Sequence, residues 1–143
     1  MKSMFLSLLF AVLLGGFVST AKAQQNSTRP LDTDEQGISL RLGKQKRASR
    51  SKLTVKFVEL VEDSRCPAGT QCVWAGNAKI KISVKSASEP VETFELNTST
   101  GATGATYGRY VINFISLTPN PKANVRVKQN TYTATFAIRI INR

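Results

Sequence analysis

Apolar and polar residues alternate with a period of two through most of the chain after Gly37, and no segment sustains the 3.6-residue period of a helix. Seven runs show this alternation, at 38–42, 53–57, 78–84, 94–96, 110–114, 125–127 and 132–140. The pattern is typical of antiparallel strands with one face buried and one face in water. Seven short strands separated by turn residues predict an all-β, antiparallel two-sheet sandwich of immunoglobulin-like architecture, with a small closed β-barrel as the alternative.

Two of these strands break phase part-way along. Apolar residues continue after Phe57 and after Phe114, but out of step with the buried face; they are Val58, Leu60, Val61, Ile115 and Leu117. A bulge at each break, or a strand that passes from one sheet to the other, would restore burial beyond it.

The first 23 residues have the features of a signal peptide. Lys2 gives a positive start, residues 4–18 form a nearly unbroken apolar run, and Ala21-Lys22-Ala23 is a small-x-small cleavage site. The run is shorter than the roughly 20 apolar residues that cross a bilayer. We therefore expect cleavage near Ala23, no transmembrane segment, and a periplasmic or secreted mature protein.

Two regions are expected after this signal. Residues 24–37 are polar and have too few apolar residues to be ordered by burial, which predicts a flexible leader. Residues 38–143 have the length and pattern of a single β-sandwich domain. Within that domain, the small and glycine-containing stretch 97–106 predicts a flexible loop.

The chain has two cysteines and no histidine. In an exported protein this pair predicts a disulfide between Cys66 and Cys72, which closes a seven-residue loop and contributes about 2 kcal/mol of stability. The lack of histidine excludes Ser-His-Asp and Cys-His catalysis and every histidine-ligated metal. The cysteine spacing also differs from that of catalytic dithiols. We therefore expect no catalytic residue, no metal and no cofactor.

The cysteines lie in the least generic segment of the sequence, Asp63-Ser64-Arg65-Cys66-Pro67, four further residues, then Cys72-Val73-Trp74-Ala75-Gly76-Asn77. This segment, with an alternating strand on either side, resembles a family of small exported bacterial proteins, many of them lipoproteins. The resemblance spans about residues 37–141 and implies an exported β domain without adding an activity. The chain departs from the lipoproteins because it has no lipid-bearing cysteine after the apolar run, which puts membrane anchoring in doubt.

Acidic residues precede the cysteine loop. Glu59, Glu62 and Asp63 would have to face one cleft to act as a general acid and base. A structural role is the favoured interpretation, in which Asp63 forms an ion pair with Arg65 and accepts backbone N–H bonds in the turn. The only tryptophan, Trp74, would pack on the disulfide or cap an end of the core.

Positive charge dominates the chain, with 20 Lys and Arg against 9 Asp and Glu. Five of these cations lie in one acid-free stretch, which we call the basic segment (44–52): Lys44, Lys46, Arg47, Arg50 and Lys52. Such a stretch suits an anionic glycan, a lipid headgroup or an envelope protein, or is a mobile solvated loop. Nucleic acid is not expected, because no aromatic residues interleave the cations as stacking platforms.

The sequence thus favours a non-catalytic exported module that binds an envelope or extracellular ligand through the basic segment together with Arg65 and Trp74. Tyr107 and Tyr110 would add a sugar-stacking surface, although core packing is the favoured interpretation of Tyr110. An accessory or inhibitor protein that docks an envelope partner through the disulfide loop is the alternative. An enzyme with carboxylate chemistry is the least favoured function.

Overall fold

The computed structural model describes residues 35–141, and nearly all of its regular structure is β-strand. The strands are β1 (Gln36–Arg41), β2 (Gln45–Arg47), β3 (Thr54–Asp63), β4 (Ala78–Lys85), β5 (Glu92–Asn97), β6 (Gly104–Tyr107), β7 (Tyr110–Thr118) and β8 (Thr133–Ile140). The predicted signal peptide and most of the predicted leader lie outside the described residues. In residues 35–141 the one helical element is a 3-10 turn at Gln129–Thr131, and none is long and apolar enough to cross a membrane.

The strands form two antiparallel four-stranded sheets. The first sheet has the order β1-β8-β7-β6 and the second has the order β2-β3-β4-β5. The two sheets are not joined by hydrogen-bonded strands, so the predicted sandwich is confirmed and the closed barrel is not formed. The connectivity is simpler than the Greek key of immunoglobulin domains, because every paired strand except β1 with β8 follows its neighbour along the chain.

The core lies between the sheets and is built from the alternating apolar faces predicted above. Phe114 and Phe136 sit opposite one another in the first sheet, with ring centres 5.7 Å apart. From the second sheet, Phe57, Ile80 and Ile82 are fully buried against them. A core of this size stabilises a domain of about 100 residues without metals.

Both predicted phase breaks are β-bulges, so the alternative of a strand changing sheets is wrong. The β3–β4 register shifts between Phe57 and Glu59 and again between Leu60 and Glu62, and the β7–β8 register shifts between Phe114 and Ser116. The extra residues, including Val58 and Ile115, are left facing solvent. Beyond the β7 bulge Leu117 returns to the core, as a restored alternation requires.

The sequence misplaced three elements. The predicted strand at 125–127 is wrong: Val125 is 58% exposed and forms only an isolated bridge with Lys122. Strand β2 lies inside the basic segment, and β6 begins inside the predicted flexible loop at 97–106 and ends one residue beyond it. Both were missed because the period-two signal needs alternating apolar residues, which Gln45–Arg47 lacks and the small residues of Gly104–Tyr107 barely supply.

The first strand begins at Gln36, one residue before the predicted end of the flexible leader. The Gln36 side chain donates to Ser49 Oγ at 3.0 Å and accepts a hydrogen bond from the Arg50 backbone N–H at 3.1 Å. The strand start is therefore held by polar contacts to the basic segment, which a hydropathy pattern does not report.

Tyr107 and Tyr110 do not form the predicted sugar-stacking surface. Both are buried, and their rings stack on each other with centres 6.3 Å apart. The Tyr107 hydroxyl donates to the carbonyls of Pro90 (2.6 Å) and Glu89 (3.0 Å). These contacts satisfy its only polar atom inside the core, and core packing is confirmed for Tyr110.

Candidate functional site at the disulfide end

The two halves of the predicted binding surface lie at opposite ends of the sandwich. Strand β3 starts beside the basic segment, where Thr54 pairs with Arg47, and finishes at Asp63, next to the cysteine loop. Its ten residues separate the two regions by roughly 30 Å. We call the region formed by residues 62–79, 97–101 and 117–132 the disulfide end. One small ligand cannot contact both it and the basic segment.

Arg65 is the most heavily bonded side chain of the disulfide end. Its guanidinium donates Nε–H to Asp63 Oδ1 (2.7 Å) and Nη2–H to Asp63 Oδ2 (2.8 Å). The remaining donors reach the Pro119 carbonyl (2.9 Å), Asn120 Oδ1 (3.1 Å) and the Leu117 carbonyl. These contacts occupy all five N–H groups of the guanidinium. Arg65 therefore has no donor left for the ligand that the sequence assigned to it.

These contacts join the two sheets. Asp63 ends β3 in the second sheet, whereas Leu117 belongs to β7 in the first sheet. Tyr132, which precedes β8, donates its hydroxyl to Asp63 Oδ2 at 2.9 Å. The predicted ion pair and turn contact of Asp63 are confirmed, since the Arg65 backbone N–H also reaches Oδ1 at 3.4 Å. Arg65 and Asp63 thus act as a polar link across one end of the sandwich.

Partial burial and charge set the ionisation of this link. The side chains of Arg65 and Asp63 are only 12% and 9% exposed. Burial raises the pKa of Asp63, but the hydrogen bonds from Arg65 and Tyr132 and the nearby positive charge outweigh it, so the pKa lies below its ordinary value of 3.8. Burial and the Asp63 carboxylate together raise the pKa of Tyr132 above 10.0. Asp63 is therefore ionised and Tyr132 is neutral at physiological pH.

The predicted disulfide is confirmed. Cys66 and Cys72 are bonded with their Cα atoms 5.9 Å apart, and no described cysteine is free. The loop is also tied to its neighbour, because the Ala68 N–H donates to the Pro121 carbonyl at 2.8 Å. Such a bond is compatible with an oxidising, exported location.

Trp74 does not cap the core, as the sequence suggested it would. Its side chain is 82% exposed, and that of its neighbour Val73 is 91% exposed. Large apolar side chains this open to water on an ordered loop mark candidate contact surfaces. The indole stands between two surface depressions, one of them on the side of the disulfide loop that includes Cys66 and Cys72.

The other depression, which we call the Trp74 groove, has a volume of about 740 Å³. Its lining combines the ends of β3, β4 and β5 with two loops: Glu62, Ser64, Trp74, Ala75, Gly76, Asn77, Lys79, Asn97, Ser99, Thr100 and Gly101. This volume falls within the roughly 300–1,000 Å³ of pockets that take small organic ligands.

Asn77 fixes the floor of the Trp74 groove. Its Oδ1 accepts hydrogen bonds from the backbone N–H groups of Thr98 (3.2 Å) and Ser99 (3.3 Å), and its Nδ2 donates to Asn97 Oδ1 at 2.8 Å. On the other side its carbonyl accepts the Ser64 N–H at 2.7 Å. One side chain and its backbone therefore hold three segments of the groove in register.

Gly76 allows these segments to approach. Its φ is +72°, in the left-handed region that favours glycine, and a Cβ there would overlap the Ser64 carbonyl oxygen and come within 2.6 Å of the Arg65 Cα. The Gly76 carbonyl then accepts the Ser99 hydroxyl at 2.6 Å. The groove is thus preorganised by contacts that its own lining residues make.

Three side chains of the lining retain unused hydrogen-bonding groups. Glu62, Lys79 and Thr100 make no side-chain hydrogen bond or ion pair with any other described residue. Glu62 and Lys79 face each other in the β3–β4 register. A carboxylate, an ammonium and a hydroxyl therefore border the same depression as the Trp74 indole, where each can contact a ligand.

The other acidic residues have different surroundings. Glu59 forms an ion pair with Lys81 at 3.1 Å, and Lys81 lies 4.0 Å from Glu95. Glu62 lines the Trp74 groove, whereas Asp63 belongs to the Arg65 link. The three carboxylates considered for acid–base chemistry therefore do not share one cleft in the described structure. Residues 35–141 also contain no group of three or more Cys, Asp or Glu placed to hold a metal ion.

The basic segment is an ordered sheet edge rather than a mobile loop. Strand β2 pairs with β3, and the following turn is closed by hydrogen bonds from Ala48 N–H to the Leu53 carbonyl (2.7 Å) and from Lys52 N–H to the Ala48 carbonyl (2.8 Å). All five cations are exposed: Lys44, Lys46, Arg47, Arg50 and Lys52. Lys46 is paired with the buried Val55, which places a charge on the inward-facing side of a very short edge strand. Such a charge discourages edge-to-edge association.

Sequence reasoning missed Tyr132, Glu62 and Lys79 as residues of this end. Tyr132 was assigned to a strand face, and nothing near it in sequence signals a contact with Asp63. The two bulges of β3 shift the strand register and so place Glu62 opposite Lys79. The alternation of apolar and polar residues alone does not predict this pairing. Asn77 carried a weak signal, since Gly-Asn predicts a turn.

The comparisons with known proteins give no functional relative. No family model matches the chain, no curated protein is significantly similar to it, and no solved structure shows a significant match. The resemblance of the cysteine segment to an exported bacterial family therefore stays a prediction.

Proposed function

We propose that this protein is a non-catalytic exported binding module whose ligand occupies the Trp74 groove. The observation that carries the proposal is the 82% exposed indole, beside three side chains whose hydrogen-bonding groups are unused. Keeping a large apolar side chain in water gives no folding benefit, whereas a ligand that covers it gains the hydrophobic free energy. A preorganised wall also lowers the entropic cost of binding.

The export proposal is consistent with the disulfide and with the signal peptide expected in residues 1–23. A periplasmic or secreted location provides the oxidising environment in which Cys66–Cys72 persists. The separation of Glu59, Glu62 and Asp63 supports a non-catalytic function, since a glycosidase-type pair would border one substrate cleft.

The only tryptophan of the chain makes a direct test possible, because all indole fluorescence comes from Trp74. We expect a ligand of the groove to protect Trp74 from acrylamide quenching. Neutral oligosaccharides, heparin fragments and phosphatidylglycerol vesicles are suitable probes, with binding measured in parallel by calorimetry. If no probe protects Trp74, whether because it binds elsewhere or because it does not bind, the proposal is rejected.

A second candidate function is the docking of an envelope protein through the disulfide loop. It is favoured by Val73, which is 91% exposed and lies outside the Trp74 groove. Val73→Ser would weaken such docking and leave a groove ligand bound, while Lys79→Ala would do the reverse. The two substitutions therefore separate the two functions on one folded scaffold.

An anionic ligand would have a separate surface. The outward cations Arg47, Lys56 and Lys85 lie at the opposite end of the second sheet, near Thr54. We propose that any anionic glycan or lipid headgroup is contacted there, with the salt dependence of a charge-driven interaction. If replacing Arg47, Lys56 and Lys85 by Ser leaves heparin binding unchanged, this surface has no part in it.

A further inference from the structure

The chemistry of the Trp74 groove restricts the class of ligand it can hold, if the groove is the binding site proposed above. The indole is its one large apolar group, and the rest of the lining is glycine, alanine and polar residues. An acyl chain would need a deeper apolar lining. A flat, amphipathic ligand that places one apolar face on the indole is the better match.

The charges of the groove oppose a strongly ionic ligand. Glu62 and Lys79 are the two charged residues of the lining, and they face each other across β3 and β4. Because these two charges cancel, a polyanion would be attracted by the Lys79 ammonium but repelled by the Glu62 carboxylate, and the reverse would hold for a polycation. Like-charge contacts of this kind select against such partners. The groove therefore favours a ligand without net charge.

The unused hydrogen-bonding groups match a ligand with several hydroxyls. The Glu62 carboxylate accepts only, the Lys79 ammonium donates only, and the Thr100 hydroxyl does both. Neighbouring hydroxyls of a sugar ring donate and accept together, so one ring can satisfy Glu62 and Lys79 at once. Hydrogen bonds to charged groups are the stronger kind, which suits recognition of hydroxyls in competition with water.

We infer that the Trp74 groove binds a neutral or zwitterionic oligosaccharide, with one pyranose ring stacked on Trp74 and its hydroxyls bonded to Glu62 and Lys79. The C–H face of a pyranose supplies the flat apolar surface and its rim supplies the hydroxyls. The groove volume of about 740 Å³ fits more than one sugar unit. Affinity should therefore rise from a monosaccharide to a short oligomer.

The test is a calorimetric and Trp74-fluorescence titration of the mature protein with malto-, cello- and chito-oligosaccharides of increasing length. We expect at least one series to bind in the micromolar to millimolar range and to shift the Trp74 emission to shorter wavelength. Lys79→Ala and Glu62→Gln should each weaken binding about tenfold. Trp74→Ala, followed by calorimetry, should abolish it.

Matched controls separate recognition from folding. Lys85→Ala removes the same charge from the other end of β4, outside the groove, and Glu92→Gln makes the corresponding acidic change on β5. Both should bind like the parent protein, and all five variants should unfold at a temperature near that of the parent.

Three outcomes would overturn the inference. Oligosaccharide binding that survives Trp74→Ala, or that Lys85→Ala weakens as much as Lys79→Ala does, would place the sugar outside the groove. Protection of Trp74 by heparin fragments or phosphatidylglycerol vesicles alone would keep the groove as a binding site and reject the saccharide. The failure of every neutral oligosaccharide at millimolar concentration would reject it as well.

Discussion

Two arginines show how differently the ends of this molecule use the same side chain. Arg65 at the disulfide end is 12% exposed, and all five of its guanidinium N–H groups donate to acceptors within the protein. Arg47 in the basic segment is exposed and forms no ion pair with a described residue. The first arginine lies where the two sheets meet, and the second lies on a sheet edge. An arginine stabilises the fold where a carboxylate and backbone carbonyls without other donors lie within its reach. On an exposed edge without such acceptors it contributes little to stability.

The comparison extends to the apolar residues. At the basic segment, Ala48 and Leu53 are fully buried, so charge outside and apolar side chains inside are cleanly separated. At the disulfide end, the charged side chains of Asp63 and Arg65 are largely shielded from water, whereas the apolar side chains of Val73 and Trp74 are exposed. Where a protein shields charged side chains from water and exposes large apolar ones, this reversal of the usual pattern commonly serves a function. This inversion is the reason for placing the ligand site at the disulfide end.

The largest predicted effect on stability comes from Arg65→Ala. It leaves the Asp63 carboxylate and the carbonyls of Leu117 and Pro119 without their donor, so the free energy of unfolding should fall by about 3–4 kcal/mol in a urea titration. Arg65→Lys should recover less than half of this, because one ammonium cannot replace a planar fork. Arg47→Ala is the matched control and should change stability by less than about 0.5 kcal/mol. If Arg65→Ala and Arg47→Ala lower the free energy of unfolding equally, the two arginines do not differ in their contribution to stability, and this account of the two ends is wrong.

Removal of the disulfide should have the next largest effect. Cys66→Ser with Cys72→Ser releases a seven-residue loop, and the loop-entropy relation predicts a loss of about 2 kcal/mol. The variant should still fold, since the core and the Arg65 link remain. We also expect stronger acrylamide quenching of Trp74, because the loop that presents it becomes more mobile. A loss near zero would show that the Ala68–Pro121 contact and the Asn77 network alone hold the loop.

The Asp63 link should also make stability depend on pH. Because the folded pKa of Asp63 is below its unfolded value, its contribution is fully present above about pH 4 and is lost as pH falls through the folded pKa. Asp63→Asn cannot ionise, so the stability difference between parent and variant should shrink progressively below about pH 4. Urea midpoints across this range measure the stability difference, and a constant difference would contradict the assigned ionisation.

Tyr132→Phe should lower the free energy of unfolding by about 1.5 kcal/mol near neutral pH.

The smallest effect is expected at the sheet edge. Lys46→Val should change stability by less than about 0.5 kcal/mol, because the side chain is exposed. It should nevertheless promote self-association, since the inward-facing charge that protects the short edge strand is lost. Analytical ultracentrifugation of this variant and of Arg47→Val, whose side chain is on the opposite face of β2, would reveal the difference. A monomeric Lys46→Val protein would show that the edge needs no such protection.

Much of the fold could be predicted because the alternation of buried and exposed residues in a strand depends only on residues that are close in sequence. The strands built on Phe57, Ile82, Phe114 and Phe136, the phase breaks in β3 and β7, and the disulfide all follow from residues a few positions apart. Strand β2 could not be predicted in this way, because the backbone pairing that orders it leaves no trace in a run of three polar residues.

The site depends on contacts distant in sequence and was therefore harder to predict. Tyr132 and Asp63 are 69 positions apart, and Asn77 and Asn97 are 20 apart. The cysteine segment drew attention to this end of the molecule through Trp74, but the sequence did not predict that the Arg65 donors reach residues of both sheets. Composition also drew attention to the basic segment, because a run of cations is conspicuous in a sequence whether or not it surrounds a groove.

The central claim is that the ligand is held at the disulfide end and not at the basic segment. The most direct measurement is the calorimetric affinity of the tightest-binding neutral oligosaccharide for Lys79→Ala and for a variant with Lys44, Lys46, Arg47 and Lys52 replaced by Ser. The structure predicts about a tenfold loss for Lys79→Ala and an unchanged affinity for the fourfold variant. An unchanged affinity for Lys79→Ala together with a loss in the fourfold variant would contradict the claim.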